Sequence, residues 1–580
     1  MKYRLAFLSV IALTLAALIL TEKRKVNAPV SPDPILYSVA DTEKELGRLP
    51  VAATRLSDRQ EIQIGNELAR KAFANFSYRT IRPDPEFEKV ESYLSQVGLR
   101  VAAHAHRKLQ YRFHYISQSD FINAFALPGG HVFIGAGLMD LMDSEDELAA
   151  ILGHEIEHID HYHCAERVQI EARLRHLPLR GLIELPAQLF EVGYSKDQEL
   201  EADREGTRLA VWASYSPLGA IRMFEAFDRL YREQTAAAHS PQEELTQVAL
   251  STLEGYFRSH PQTSERIDQI NRMIADEHWG NLTSERPLEV AYIFVTARAQ
   301  RAFAARHYQE AAALAKRSLD AVPDQPLAWR VLAASQYALA DFDGAASASR
   351  KLLDLAPANE SSLRAYADVL AARGDPAKGV RELETWMADH PDGTARAPRD
   401  VERAGLLLLA HDKARAEASL KELNTSFNGA WPPELDGRLG GWYYRAGNYP
   451  AARDHLTHAV QQLPGDTTIN TQLGWVYIEQ RDYEDAFNRF GRAKSSASVR
   501  ANGPGIERLR FAQPYMGTAV AYWLARQPNE ALNDFSFVVG AQPEWLNPRW
   551  TSALFSARVA KAVAEMQAEQ KKRRSAARPR

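Results

Sequence analysis

Cysteine is almost absent from this chain: Cys164 is the only one in 580 residues. No disulfide within the chain can staple the fold, and cysteine usage does not name the compartment. Net charge is nearly absent as well. The 70 basic and 74 acidic residues leave a formal −4, which provides no field for nucleic acid, so no nucleic-acid partner is expected. A comfortable membrane span is lacking too. Leu5–Leu20 is an uncharged apolar run of 16 residues, short for a span of ~20 and long for the core of a signal peptide. Lys2 and Arg4 precede it, while Lys23, Arg24 and Lys25 follow. No small-x-small cleavage site comes after it, and no nearby cysteine permits a lipoprotein anchor. Residues 1–25 are therefore expected to be an export signal or a single membrane anchor. Either places the rest on the periplasmic side of the inner membrane in a bacterial host, with residues 5–20 as the candidate anchor.

What is present divides by texture, and the length alone asks for more than one core. Residues 26–55, with "NAPVSPDP", read as a linker. From there to about 285 the pattern is mixed. Helices are expected at "SDRQEIQIGNELARKAF", with Ser57 and Asp58 as caps, and at "DPEFEKVESYLSQVGLRVAAHA". "YRFHYI", "FINAFALP" and "HVFIGAGL" have the shorter period of strands, the last two joined through Pro128, Gly129 and Gly130. "DSEDELAAILGHEIEHIDHYHCAER" reads as one long helix from about Ser144, its acidic first turn suiting the helix dipole.

From 290 to about 560 the chain is alanine-rich and repetitive. Pro323, Pro357 and Pro391 are 34 apart, as are Tyr308 and Phe342, and Tyr449 and Tyr483. Small residues three beyond each aromatic or equivalent position run Ala311, Ala345, Gly379, Ala416, Ala452, Ala486 and Ala531. A 34-residue helix–turn–helix period is the tetratricopeptide signature: the small residues let paired helices approach, and the proline ends the second. "KKRRSAARPR", within 561–580, reads as a solvated basic tail. The fold class is thus α+β, mainly α: a catalytic domain with a small sheet, residues 56–285, followed by an all-α tetratricopeptide (TPR) solenoid.

"LGHEIEHIDHYHC" (152–164) contains HExxH. On a helix, i and i+4 share a face, so His154 and His158 are candidate ligands for one Zn²⁺, with Glu155 beside the metal as general base. The third ligand is not the metzincin one. The position seven after His154 is His161 rather than glycine, and about 10 Å along a straight helix puts it out of reach. Downstream, "GYSKDQELEADREG" (193–206) sets Glu199 and Asp203 at i and i+4. A glutamate from a second helix completes a His₂Glu site, and an aspartate one turn on can hold a ligand histidine by its free N–H. Glu201 points to another face and is expected in solvent. Cys164 is expected in the core. No convincing Ser/His or Cys/His set accompanies these residues, which agrees with hydrolysis that needs no covalent enzyme intermediate.

HExxH, the ExxxD helix, the preceding "NAFALPGGHVFIGAGL" and the later "SHPQTSERI" (259–267) together resemble the CAAX-prenyl-protease/HtpX-type zinc metallopeptidases. The likeness covers residues 55–275 closely, and is closest to the soluble extracytoplasmic branch with C-terminal TPR repeats. It implies a gluzincin-type fold and one Zn²⁺ per chain held by His154, His158 and Glu199. It further implies Glu155 as general base and Asp203 as its catalytic-site companion. His163 matches a histidine often found just past the motif. Lys196 stands where the family commonly has arginine, which puts a local salt bridge in question. His260 or Tyr194 is the candidate oxyanion donor, with His260 alternatively a lid on the fourth zinc position. Asn123, Ala124 and Gly130 either form a strand that pairs with substrate backbone or only shape a hairpin. The apolar stretch 174–193 is a candidate plug over the cleft or a membrane-touching loop, and equally a buried helix. The implied function is a zinc endopeptidase of the bacterial cell envelope that cleaves unfolded or misassembled envelope proteins, with protein partners recruited through the repeats. The competing expectation is an interaction or chaperone protein whose peptidase fold is a scaffold or is kept latent.

Overall fold

The computed structural model describes residues 56–76, 85–174, 194–237, 263–283, 285–498 and 506–576. The N-terminal apolar run, the 175–193 stretch and His260 lie outside them. Among the described residues no helix is long and apolar enough to cross a membrane. The chain divides into two compact units, Met1–Phe294 and Val295–Arg580.

The first unit is built on α1 (Asp58–Asn75), α2 (Pro85–Ala102) and a three-stranded sheet of β1 (Arg112–Ile116), β2 (Ala124–Leu127) and β3 (His131–Gly135). β3 is central, parallel to β1 and antiparallel to β2. The β2–β3 connection turns on Gly129 and Gly130, both at positive φ (79° and 108°). A Cβ on Gly130 would lie 2.6 Å from the Gln110 carbonyl oxygen. Glycine is therefore required there by backbone conformation and by close approach. After the short α3 (Ala136–Met139) come α4 (Glu145–Asp160), α5 (His163–Leu174), α6 (Lys196–Trp212), α7 (Leu218–Ala237) and α8 (Thr263–Asp276).

The central helix α4 is buried along all its 16 residues. Ser144 caps it, its hydroxyl accepting from Glu147 N–H while the Glu147 carboxylate accepts from Ser144 N–H, a reciprocal capping box. The acidic first turn does more than suit the dipole. Glu145 accepts from Tyr93 Oη (2.6 Å), Arg100 (2.8 Å) and Tyr215 Oη (2.8 Å). Asp146 accepts the Ser216 and Arg286 backbone N–H groups. The expected single long helix is in fact two. α4 ends at Asp160, whose carboxylate accepts the N–H groups of His106 (2.8 Å) and Arg107 (2.6 Å). Tyr162 then takes φ +63°, and α5 starts in a new direction at His163.

The second unit is a series of helical hairpins. Helices Tyr308–Ala321, Phe342–Leu355, Pro376–Asp389, Lys413–Ser426, Tyr449–Gln462, Tyr483–Ser498 and Pro528–Ala541 each pair with the helix before them. Ala311, Ala345, Ala416, Ala452, Ala486 and Ala531 are fully buried, and Gly379 is buried as well, where the paired helices touch. The end of the series folds back on its beginning. Trp550 Nε1–H donates to the Tyr337 carbonyl (2.8 Å), and Arg306 donates to the Gly540 carbonyl (2.9 Å).

Candidate metal centre

The zinc-site candidates come from two helices that cross at a pair of glycines. Gly153 precedes His154 on α4. Gly206 lies seven residues after Glu199 and three after Asp203 on α6, so all three share one face. A Cβ on Gly206 would sit 2.6 Å from both Gly153 C and His154 N, and one on Gly153 would sit 2.4 Å from the Gly206 carbonyl oxygen. Two bare backbones thus bring Glu199 against the HExxH face. Ser195 starts α6 with a second capping box, shared with Gln198.

His154, His158 and Glu199 converge, all buried. The two Nε2 atoms are 3.1 Å apart, and the Glu199 oxygens lie 3.5 Å from His154 Nε2 and 3.6 Å from His158 Nε2. Ligands on a tetrahedral ion with bonds of about 2.0–2.1 Å stand about 3.3–3.4 Å from one another. The donor set therefore fits zinc in kind and in spacing.

Tautomers strengthen the fit. Asp203 accepts from His154 Nδ1–H at 2.9 Å, which leaves the His154 Nε2 lone pair facing the site. His158 Nδ1 meets His163 Nδ1 at 3.0 Å, and His163 Nε2 meets Glu201 at 3.2 Å. With Glu201 accepting from His163 Nε2–H, His163 Nδ1 accepts from His158 Nδ1–H, and the second Nε2 lone pair faces inward too. Two lone pairs 3.1 Å apart in a buried site repel unless a cation lies between them. Glu201, expected in solvent, keeps 37% of its side chain exposed and is also the end of this relay, because the turn at Tyr162 brings His163 back beside His158.

Asp203 is fixed from its other side by Arg266 of α8. Arg266 Nε donates to Asp203 Oδ2 (2.5 Å) and Nη2 to Oδ1 (2.6 Å), with the guanidinium over the Phe224 ring. Burial works against the charge on Asp203, but Arg266 and His154 overrule it and hold the carboxyl well below the usual carboxylate range. Sequence reasoning passed over Arg266, although a signal was present: Arg266, Ile270 and Met273 form the buried stripe of α8, and a cation on an apolar stripe needs a buried partner. Glu155, also buried, has its carboxyl pushed up to about 7, chiefly by burial.

The remaining candidates fall out as follows. The Tyr194 ring stacks on His158 (3.9 Å between centroids), while its hydroxyl meets Cys164 Sγ at 3.2 Å. That hydroxyl is taken up by the Cys164 thiol, and the ring packs face to face on His158. Burial raises the Cys164 thiol to about 12, consistent with a packing role and an inert sulfur. Lys196 does form a salt bridge, with Glu265 at 2.6 Å. It is exposed, where such pairs contribute little. Asn123 Oδ1 accepts from Ala124 N–H (2.9 Å) at the start of β2. β2 is an edge strand lying beside α4, while Gly130 belongs to the turn and shapes the hairpin.

A HExxH helix, a glutamate from a following helix and a small flanking sheet define a metallopeptidase-type domain. Residues 88–274, within the first unit, match the model of peptidase family M48. The chain is 27% identical over 205 residues to the beta-barrel assembly-enhancing protease of Escherichia coli (strain K12), covering 32% of this chain and 40% of that one. The Yersinia pestis protein of that name is 30% identical over 189 residues, 29% of this chain and 37% of that one. Mitochondrial metalloendopeptidase OMA1 of Schizosaccharomyces pombe is 26% identical over 219 residues, 35% and 58% respectively. The matches thus span less than two thirds of these relatives. Among solved structures, a tetratricopeptide repeat protein from Parabacteroides merdae aligns over 48% of this chain and 98% of its own, at 14% identity and a TM-score of 0.29.

Proposed function

We propose that the protein is a zinc-dependent endopeptidase of the bacterial cell envelope that cleaves unfolded or misassembled envelope proteins, with the repeat unit recruiting them. The observation that carries this reading is the pair of ligand histidines, each with its Nδ1 proton taken by a partner and its Nε2 turned toward Glu199. A scaffold has no use for two separately built tautomer locks. The envelope assignment draws on the relatives named for beta-barrel assembly and on the N-terminal run Leu5–Leu20.

In this reading His154, His158 and Glu199 hold one zinc ion, which when bound supplies Lewis acidity toward the scissile carbonyl. Glu155 takes a proton from the attacking water and returns it to the leaving amine. Its position on α4 directly after His154 places its carboxyl beside the site for both transfers. Asp203 and Arg266 keep His154 oriented, and Glu201 with His163 does the same for His158. β2, with Asn123 and Ala124 at its start, is the edge strand beside the zinc helix but is buried along its length, so pairing with an extended substrate backbone requires that edge to be uncovered.

The test is cleavage of an unfolded protein by the purified, zinc-loaded chain beside Glu155→Gln, with zinc measured in both. The expectation is one zinc per chain in each and cleavage by the wild type alone. Equal cleavage by both, or none by either with stoichiometric zinc, would refute catalysis and leave the chaperone or scaffold reading.

A further inference from the structure

A second group of metal-ligating side chains lies at the C-terminal end of α4. Glu157, Asp160 and His161 each offer a ligand atom, and those atoms lie within 4.8 Å of one another. Glu157 and Asp160 are buried and His161 is partly so. The group shares no residue with the cluster of His154, His158 and Glu199, and none of its members takes part in the proposed hydrolysis.

Glu157 is the member that the fold leaves unexplained. Its side chain is wholly buried, and neither of its oxygens has a hydrogen-bond partner. Oε2 stands 2.5 Å from His161 Nδ1, yet that nitrogen has no hydrogen bond either, so the two atoms are close but misaligned for one. A buried carboxylate without donors calls for a cation. Arg107 is near, donating to the Ile159 carbonyl, but Asp58 and Glu61 hold its charge. The C-terminal end of α4 adds the negative pole of a helix dipole.

The solvent side of the group is closed by His106, from the loop between α2 and β1. Its Nδ1 lies 3.0 Å from Asp160 Oδ2, and its ring stands edge to face with that of His161, 6.2 Å away at 84°. The ligand pair His154 and His158 has the same edge-to-face setting, at 4.7 Å and 86°. The His106 side chain is 67% exposed and that of His161 31%, so an ion reaches the group from solvent past two imidazoles. Asp160 already accepts the His106 and Arg107 N–H groups, but a carboxylate has about four acceptor positions and can ligate while it holds the loop. We propose that Glu157, Asp160, His161 and His106 form a second metal site, for a divalent transition ion of the zinc kind. The imidazoles select against calcium and magnesium, which take oxygen ligands. An ion there compensates the Glu157 charge and ties the α2–β1 loop to the corner at Tyr162, on whose two sides His161 and His163 sit.

The experiment is equilibrium dialysis of the full chain against zinc buffered at about 10 µM free ion, with the bound metal counted per chain. The wild type is expected to hold two ions. Glu199→Ala should lose the peptidase-site ion and keep the other, while His161→Ala should do the reverse, with circular dichroism to check that it folds. His106→Ala, at an exposed position, disturbs no packing and is expected to weaken the second ion at least about tenfold. A zinc count that His161→Ala leaves unchanged, a Glu199→Ala chain without zinc, or unaltered affinity in His106→Ala would overturn the proposal. Displacement of the second ion by about 1 mM magnesium would overturn it as well, in favour of a plain acidic patch. The signature is an ion that His161→Ala removes and Glu199→Ala does not. Failure of the peptidase site to bind zinc therefore leaves this result standing, and the reverse.

Discussion

Gly206→Ala tests the geometry that brings the two zinc helices together, because its two consequences have opposite signs. In an unobstructed helix the exchange stabilises by about 0.8–1 kcal/mol. Here the new methyl would lie 2.6 Å from Gly153 C and His154 N and 2.8 Å from His154 Cα. Carbon atoms in contact prefer about 3.5 Å or more, so α4 and α6 must part by about 1 Å. The Glu199–histidine separations of 3.5 and 3.6 Å then grow to about 4.5 Å, beyond the roughly 3.4 Å that one tetrahedral ion requires. Overpacking costs about 1–3 kcal/mol, which exceeds the propensity gain, and a misplacement of that size costs about 100-fold in function. The assay is zinc affinity by competition with a chromophoric chelator, beside thermal unfolding and cleavage of an unfolded protein. The expected result is weaker zinc, a Tm lower by about 2–8 °C and little cleavage. Gly491→Ala is the control: it lies in helix Tyr483–Ser498, where an added Cβ meets nothing within 4 Å, and is expected to be neutral or stabilising. A Gly206→Ala chain as stable as the wild type, with unaltered zinc affinity, would refute the close-crossing account.

Arg266→Met leaves the buried Asp203 carboxylate with His154 as its remaining close partner and is expected to cost about 3–5 kcal/mol. Adding Asp203→Asn should return most of the stability by chemical denaturation without restoring activity. His114 and His131 share a hydrogen bond of 2.9 Å in the sheet, and burial lowers them to about 3 and about 4. Both stay neutral in the fold while the unfolded chain protonates near 6.5, so their contribution is complete above that pH and declines as pH falls toward 3–4. At pH 5 the loss is about 2 kcal/mol for each, measurable in the metal-stripped protein and smaller in His131→Asn. Chelation should lower the unfolding temperature of the wild type and leave Glu199→Ala nearly unmoved, since ligand binding stabilises only a chain that retains the site. Trp550→Ala removes a buried indole and its bond to the Tyr337 carbonyl and is expected to cost about 3–5 kcal/mol, read by denaturant titration.

The zinc candidates were legible because helical periodicity alone puts His154 beside His158 and Glu199 beside Asp203. The repeats were legible wherever their regular interval holds. The helices beginning at Pro376, Lys413 and Tyr449 are set slightly further apart than that interval, and those beginning at Tyr483 and Pro528 much further. The pattern fades where insertions lengthen the turns. The break at Tyr162 was hidden because tyrosine has no local preference for positive φ. The Asp160 carboxylate, pinned to a loop well upstream, fixes the end of α4. That break is also why Glu201 and His163 were not seen as partners. Arg266 meets Asp203 from a separate helix far along the chain, and the glycine crossing likewise joins two helices remote in sequence. Both are products of tertiary packing that no local window contains.

Helical-hairpin arrays ordinarily touch only their neighbours, and tension on such a chain peels them from a loose end, one hairpin per step. Here Trp550 clasps Tyr337 and Arg306 reaches Gly540, so the second unit has no loose end to start from. Stretched between its own first and last helices, it should hold until the clasp gives and then release its hairpins together, a single rupture in place of a sawtooth. Nicked in one interior turn, it should keep both fragments joined. A unit that, on the proposed reading, grips unfolded chains is thereby protected from being unravelled by what it holds.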